Sequence, residues 1–168
     1  WPYRQRLLGR KARGGAEKHY RTMPLEQIIS LPVRDWTAPD SLLWLWTTNS
    51  HLPVALEVIG AWGYQYRTMA TWAKPQFGLG FWLRGQTEHL IFASKGDAKP
   101  RRTAAHGALG SRASTLLCVS KRLRHSQKPE DAYRLIESIC DGPYLEIFAR
   151  RTRPGWTSWG DELGTELR

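Results

Sequence analysis

Lys128 stands one residue ahead of Pro129 in the run His125-Ser126-Gln127-Lys128-Pro129-Glu130-Asp131. Proline suits the first turn of a helix, so the lysine is expected at a helix mouth. The helix dipole disfavours a cation there, and the better use of such an ammonium is to hold a carboxylate or a phosphate. An apolar run follows, Tyr144-Leu145-Glu146-Ile147-Phe148-Ala149-Arg150, and after it Gly155-Trp156-Thr157-Ser158-Trp159-Gly160-Asp161-Glu162. Ligands of open α/β sheets bind beyond the carboxyl ends of the strands, which is where Ala149-Arg150-Arg151 leave the first of these runs. A helix with a lysine at its mouth, a buried strand and a polar turn, in that order, make a place for a nucleotide-like ligand.

Other chemistries find less support. No G-x-G-x-x-G is present, so a dinucleotide site of the standard type is not expected, and Gly78-Leu79-Gly80 reads as a hairpin-like turn. The five histidines are scattered, without metal or triad spacing. His51 and His89 read as structural, whereas His19 and His125 flank basic loops. Cys118 and Cys140 are too few for a disulfide framework and lack zinc-ligand spacing, so no metal is expected.

A net charge of +10 points to a polyanionic partner. From Lys99 to Lys128 there are eight lysines and arginines and no carboxylate, and the stretch from Arg4 to Arg21 carries Glu17 alone against seven basic residues. Two acid-poor tracts of this kind suit loops that track phosphates, and Arg10, Lys11, Arg13, His19, Arg101, Arg102, Arg112 and Arg124 are the candidates within them. No segment reaches the roughly twenty apolar residues of a membrane span, and no signal peptide is seen, which favours a cytoplasmic, reducing setting.

The elements that must position these residues alternate in type. Pro24 to Leu31 reads as a short helix, Leu42 to Thr48 as a buried strand, and Leu52 to Trp62 as a helix stopped by Gly63. Tyr66 to Lys74 and Glu88 to Ser94 read as strands joined by a glycine-rich turn, and 96–114 as a loop. Leu116 to Val119 is a strand, Pro129 to Ile139 a helix and Tyr144 to Phe148 a strand. Strands alternating with helices argue for one α/β domain over 1–168 with a mostly parallel sheet and flanking helices.

These motifs, in this order, resemble the MT-A70 family of adenine-N6 methyltransferases. Trp1 matches the last position of the family's Asp-Pro-Pro-Trp motif, and Ala16-Glu17-Lys18-His19-Tyr20-Arg21-Thr22-Met23 the segment after it. Leu43-Trp44-Leu45-Trp46-Thr47, Ala61-Trp62-Gly63-Tyr64, Trp72-Ala73-Lys74 and Glu88-His89 recur in sequence, followed by the His-Ser-Gln-Lys-Pro-Glu, Glu-Ile-Phe-Ala-Arg and Gly-Trp-x-x-Trp-Gly motifs. The resemblance implies a Rossmann-like fold, S-adenosylmethionine as methyl donor and the 6-amino group of adenine as acceptor. It implies that Lys128 contacts the donor or the target site, and that Phe148, Arg150, Asp161 and Glu162 line the ribose and adenine pocket of the donor. Relatives often carry asparagine at the position of Asp161, which puts a donor role for that side chain in doubt. Trp1 and Tyr3 would stack on a flipped base at the catalytic centre.

With no start methionine and no leading strand, the chain is expected to be the later part of a longer protein. The catalytic aspartate and both prolines would lie just before Trp1, on a strand at the centre of the sheet. The compact form favours DNA over RNA as substrate. The alternatives are an RNA adenosine methyltransferase, a catalytically silent nucleic-acid-binding partner in a homo- or heterodimer, and a plain basic nucleic-acid-binding module.

Overall fold

The computed structural model of the chain describes residues 22–78, 82–100, 114–120, 127–160 and 163. Its contacts divide into two compact units, Pro32–Cys140 and a second made of Trp1–Leu31 with Asp141–Arg168. None of the described helices is long and apolar enough to cross a membrane.

In the larger unit a short helix, α2 (Val33–Trp36), which the sequence pattern does not announce, precedes strand β1 (Ser41–Thr48). A single 3-10 turn over Asn49–His51 leads into α3 (Leu52–Ala61), which has proline in its first turn. The helix ends as expected at Gly63, whose φ of +83° is easy only for glycine. Gly63 N–H donates to Gly60 O and Tyr64 N–H to Ile59 O, the paired bonds of a Schellman stop. Ala55, Val58 and Ile59 lie on one face of α3 and are buried.

Strands β2 (Gln65–Ala73), β3 (Thr87–Lys95) and β4 (Leu116–Val119) complete a sheet of order β1-β3-β2-β4. The mostly parallel sheet expected from the sequence is here mixed: β3 runs antiparallel to both β1 and β2, and only β2 and β4 pair in parallel. The reason lies in the β2–β3 connection. It holds no helix among its described residues and begins with a rung from Lys74 N–H to Gln86 O, so the two strands form a hairpin. Because β3 opposes both neighbours, β1, β2 and β4 still share one direction, and their carboxyl ends lie along one rim.

Trp62, Trp72, Ile59, Leu90 and Ile91 are fully buried. Trp72 is also fixed by its indole N–H, which donates to both the carbonyl and the hydroxyl of Ser120 at 3.0 Å. The unit closes with α4 (Glu130–Ile139), which carries Glu130 and Asp131 in its first turn, where carboxylates complement the dipole. Ala132, Ile136 and Ile139 form its buried stripe.

The smaller unit contains α1 (Leu25–Ile29), β5 (Tyr144–Ile147) and β6 (Trp156–Trp159), the last two paired in parallel from Tyr144↔Trp156 to Ile147↔Trp159. Residues 156–159, expected as part of a polar turn, are therefore a strand. Thr157 and Ser158 lie between two tryptophans that the pleat puts on opposite faces, and Trp156 stacks on Tyr144 with centroids 4.7 Å apart. Together the elements make an α/β fold consistent with a Rossmann-like methyltransferase.

Trp72→Ala should lower the unfolding free energy by ~3–5 kcal/mol in denaturant titration, since a fully buried ring and its hydrogen bonds are lost. Phe77→Ala, at a side chain 68 % exposed, should change it by under ~0.5 kcal/mol.

Candidate functional site

Glu88 is the second residue of β3 and faces Thr48 of β1 and Trp72 of β2 across the sheet. It therefore sits on the rim where β1 and β2 end. By the alternation of the strand it shares a face with Leu90, so a carboxylate occupies the apolar side. Two ammonium groups meet it: Lys74 Nζ donates to Oε1 and Lys128 Nζ to Oε2. The side chains of Lys74, Glu88 and Lys128 are only 19 %, 13 % and 24 % exposed, which separates the group from an ordinary surface ion pair.

Tryptophans complete the arrangement. Lys74 Nζ lies 4.6 Å from the centroid of Trp72 and Lys128 Nζ 4.9 Å from that of Trp46, both within cation–π range. The two indoles meet edge to face at 6.2 Å. Burial alone would raise the Glu88 carboxyl, but the charge and hydrogen bond of Lys128, joined by those of Lys74, outweigh it and hold the group below the usual carboxylate range. Two ammonium groups thus share one carboxylate on the rim.

On the other face of β3, His89 Nε2 lies 2.5 Å from Asn49 Oδ1 and Nδ1 lies 3.1 Å from Thr71 Oγ1, while Asn49 Nδ2 donates to Thr87 Oγ1 at 3.0 Å. His51 Nδ1 bonds Thr48 Oγ1 at 2.7 Å. Burial pushes both imidazoles below the ordinary histidine value, although Glu88 partly opposes this at His89. Both rings are tied into the protein, in keeping with structural roles.

In the smaller unit, Phe148 follows the carboxyl end of β5 with φ +63°, a left-handed conformation that a bulky residue rarely adopts. Its ring lies 5.5 Å from Trp159 at 50°, and the next residue donates from Ala149 N–H to Trp159 O at 2.8 Å. A Cβ at Gly160 would fall 2.0 Å from Ala149 O, so only glycine allows the two backbones to approach. Arg150 follows, exposed.

Of the residues singled out in the sequence, Lys128, Phe148 and Arg150 fall among those described. Trp1, Tyr3, Arg10, Lys11, Arg13, His19, Arg101, Arg102, Arg112, Arg124, Asp161 and Glu162 lie outside them. The anion expected at Lys128 turns out to include one of the protein's own, Glu88. Lys74, Glu88, Trp46 and Trp72 were not selected as site residues. The available signal was Glu88 itself, a carboxylate in step with Leu90 and Phe92 on an apolar strand. A concavity of about 410 Å³ lined by Arg67, Ser94 and Lys99 includes none of the cluster and lies toward the opposite end of β3. Among the described residues no His, Cys, Asp or Glu side chains group to hold a metal ion.

The MT-A70 family model matches residues 1–162. The chain is 31 % identical over 149 residues to the Type II methyltransferase M.MunI of Mycoplasma sp, covering 86 % of the chain and 60 % of that protein. It is 34 % identical over 149 residues to the N(6)-adenine-specific methyltransferase METTL4 of Homo sapiens (82 % of the chain, 32 % of that protein). It is 30 % identical over 151 residues to the N6-methyladenosine RNA methyltransferase MTA1 of Cryphonectria parasitica (82 % and 42 %). The chain thus spans at most 60 % of the length of these relatives. It belongs to the MT-A70 family.

Glu88 gives the cluster a pH signature. Its folded-state pKa is depressed, so its stabilisation is present above the unfolded value of ~4.3 and is lost as pH falls through the lower folded value. Glu88→Gln should cost about 1–3 kcal/mol near neutrality, a buried pair discounted for partial exposure. In denaturant titrations the gap between wild type and variant should be flat above about pH 5.5 and narrow on acidification below ~4.3. A gap unchanged down to pH 3 would contradict the assignment.

Proposed function

We propose that this MT-A70 family member transfers the methyl group of S-adenosylmethionine to the 6-amino group of adenine in DNA. The observation that carries the reading is the Lys74–Glu88–Lys128 cluster. In a chain of this family it fixes two ammonium groups on the rim where α/β enzymes bind their ligands.

The donor's chemistry fits the groups present. It bears a carboxylate, which the cationic rim can accept. When bound it supplies an electrophilic sulfonium methyl. The chain's own residues do the positioning. Glu88 holds Lys128 and Lys74 in one geometry, so neither must be ordered when an anion arrives. Trp46 and Trp72 wall the lysines with low-dielectric surface, which strengthens their attraction for that anion.

An aryl amine is a weak nucleophile, so its N–H groups must be accepted and its lone pair aligned with the methyl. In this reading Trp1 and Tyr3 wall the target base. Arg150, Asp161 and Glu162 face the donor's ribose. Arg10, Lys11, Arg13, His19, Arg101, Arg102, Arg112 and Arg124 meet phosphates, in line with the net charge of +10. DNA is favoured by the similarity to the Type II methyltransferase M.MunI, of which the chain covers 60 %. The similarity to an RNA methyltransferase keeps RNA as the second reading.

The test is methyl transfer by the full-length protein to adenine-containing DNA and RNA of matched sequence, read as N6-methyladenine by mass spectrometry. DNA should be methylated, and Lys128→Ala should lower kcat/KM roughly 10- to 100-fold, the worth of a hydrogen bond to a charged group. Methylation of RNA alone would shift the substrate. Nucleic-acid binding with neither donor binding nor transfer would replace the enzyme with a silent partner.

A further inference from the structure

The β2–β3 connection displays large apolar side chains beside the cationic rim. Trp82 is 90 % exposed, Leu83 85 % and Phe77 68 %. The connection is nonetheless held at its base. Lys74 N–H donates to Gln86 O and Gln86 Nε2 returns a bond to Lys74 O at 3.2 Å. Farther out, Gly78 N–H donates to Gly85 O, and Arg84 Nε donates to Gly78 O, both at 2.7 Å. An indole is thus carried outward on a pinned neck whose roots, Lys74 and Glu88, are members of the site cluster.

We infer that Trp82 is a stacking platform for an unstacked nucleobase close to the target adenine. This deepens the nucleic-acid reading above and rests on it. The occupant follows from charge and position. Residues 75–86 carry the exposed Arg84 and no carboxylate, so the surface around the indole suits a polyanion. An exposed aromatic face beside cations is the combination that holds single-stranded nucleic acid: the charges track phosphates, and the ring stacks on any base.

Reach sets the register. Trp82 lies six positions before Glu88, and a chain extends by at most ~3.3–3.6 Å per residue, so the two Cα atoms lie within about 22 Å. At ~3.4 Å per nucleotide along a strand, the stacked base falls within about six nucleotides of the one at the rim. Such a platform would offset part of the cost of opening a duplex around a flipped adenine.

The experiment is fluorescence anisotropy of a dye-labelled, adenine-containing single-stranded oligodeoxynucleotide with the full-length protein across a salt series. Trp82→Ala and Trp82→Phe are compared with wild type, and light scattering records the molecular mass of each. Trp82→Ala should bind about 5- to 100-fold more weakly, with an unchanged slope of log affinity against log salt, because no phosphate contact is removed. Trp82→Phe should keep most of the affinity. If Trp82→Ala binds like wild type, or loses affinity only through a shallower salt slope, the platform is overturned while the nucleic-acid reading stands. If Trp82→Ala changes the molecular mass, the indole is a contact between copies of the chain and the inference falls. Should the wild type itself fail to bind the oligonucleotide, the failure belongs to the nucleic-acid reading.

Discussion

One carboxylate between two ammonium groups sets the character of the rim. Glu88 could not remain ionised on the apolar face of a strand without compensation, because burial opposes its charge. Lys74 and Lys128 supply that compensation, and each also lies over an indole, so the charged groups and the tryptophans hold one another in place. The lysines come from different parts of the fold, one just after β2 and one just before α4. Glu88 therefore ties the end of a strand to the mouth of a helix.

That tie depends on the direction of β3. Only because β3 runs against β1 and β2 does its second residue fall on the rim where those strands end. A parallel strand in the same position would bring its last residues there instead. The inversion also puts the β2–β3 connection at the rim, so the exposed indole of Trp82 and the cationic cluster are consequences of one hairpin. In the smaller unit Gly160 lets two backbones close together, and Phe148 accepts a left-handed conformation at the end of β5.

Much of this was legible in the residues, where the signal was local. The stop of α3 at Gly63, the extents of β1 to β5 and the start of α4 follow from period, caps and breakers, and agree with the structure to within one or two positions. Lys128 was marked by the proline that follows it. Its partner was not, because forty residues separate Lys128 from Glu88 and pairing at that distance is set by strand order. The sense of β3 was available in principle, since a glycine-rich turn is a hairpin connection, but the alternation of helices and strands outweighed it. Strand β6 was hidden by its polar residues, since Trp156-Thr157-Ser158-Trp159 shows no apolar alternation of period two. The family resemblance selected Phe148, yet no residue pattern announces a positive φ at phenylalanine.

The central claim is that the cluster serves a ligand as well as the fold, and a double-mutant cycle tests it most directly. Glu88→Met and Lys128→Met, alone and together, would be measured for unfolding free energy and for methyl transfer to adenine-containing DNA. Glu88→Met strands two ammonium groups and Lys128→Met leaves Glu88 with Lys74, whereas the double change leaves only Lys74 without its carboxylate and should recover part of the stability lost in Glu88→Met. The account predicts that this part of the stability returns in the double variant while methyl transfer stays at the level of Lys128→Met. A double variant that regains transfer together with stability would contradict it, because the cluster would then be a structural pair alone.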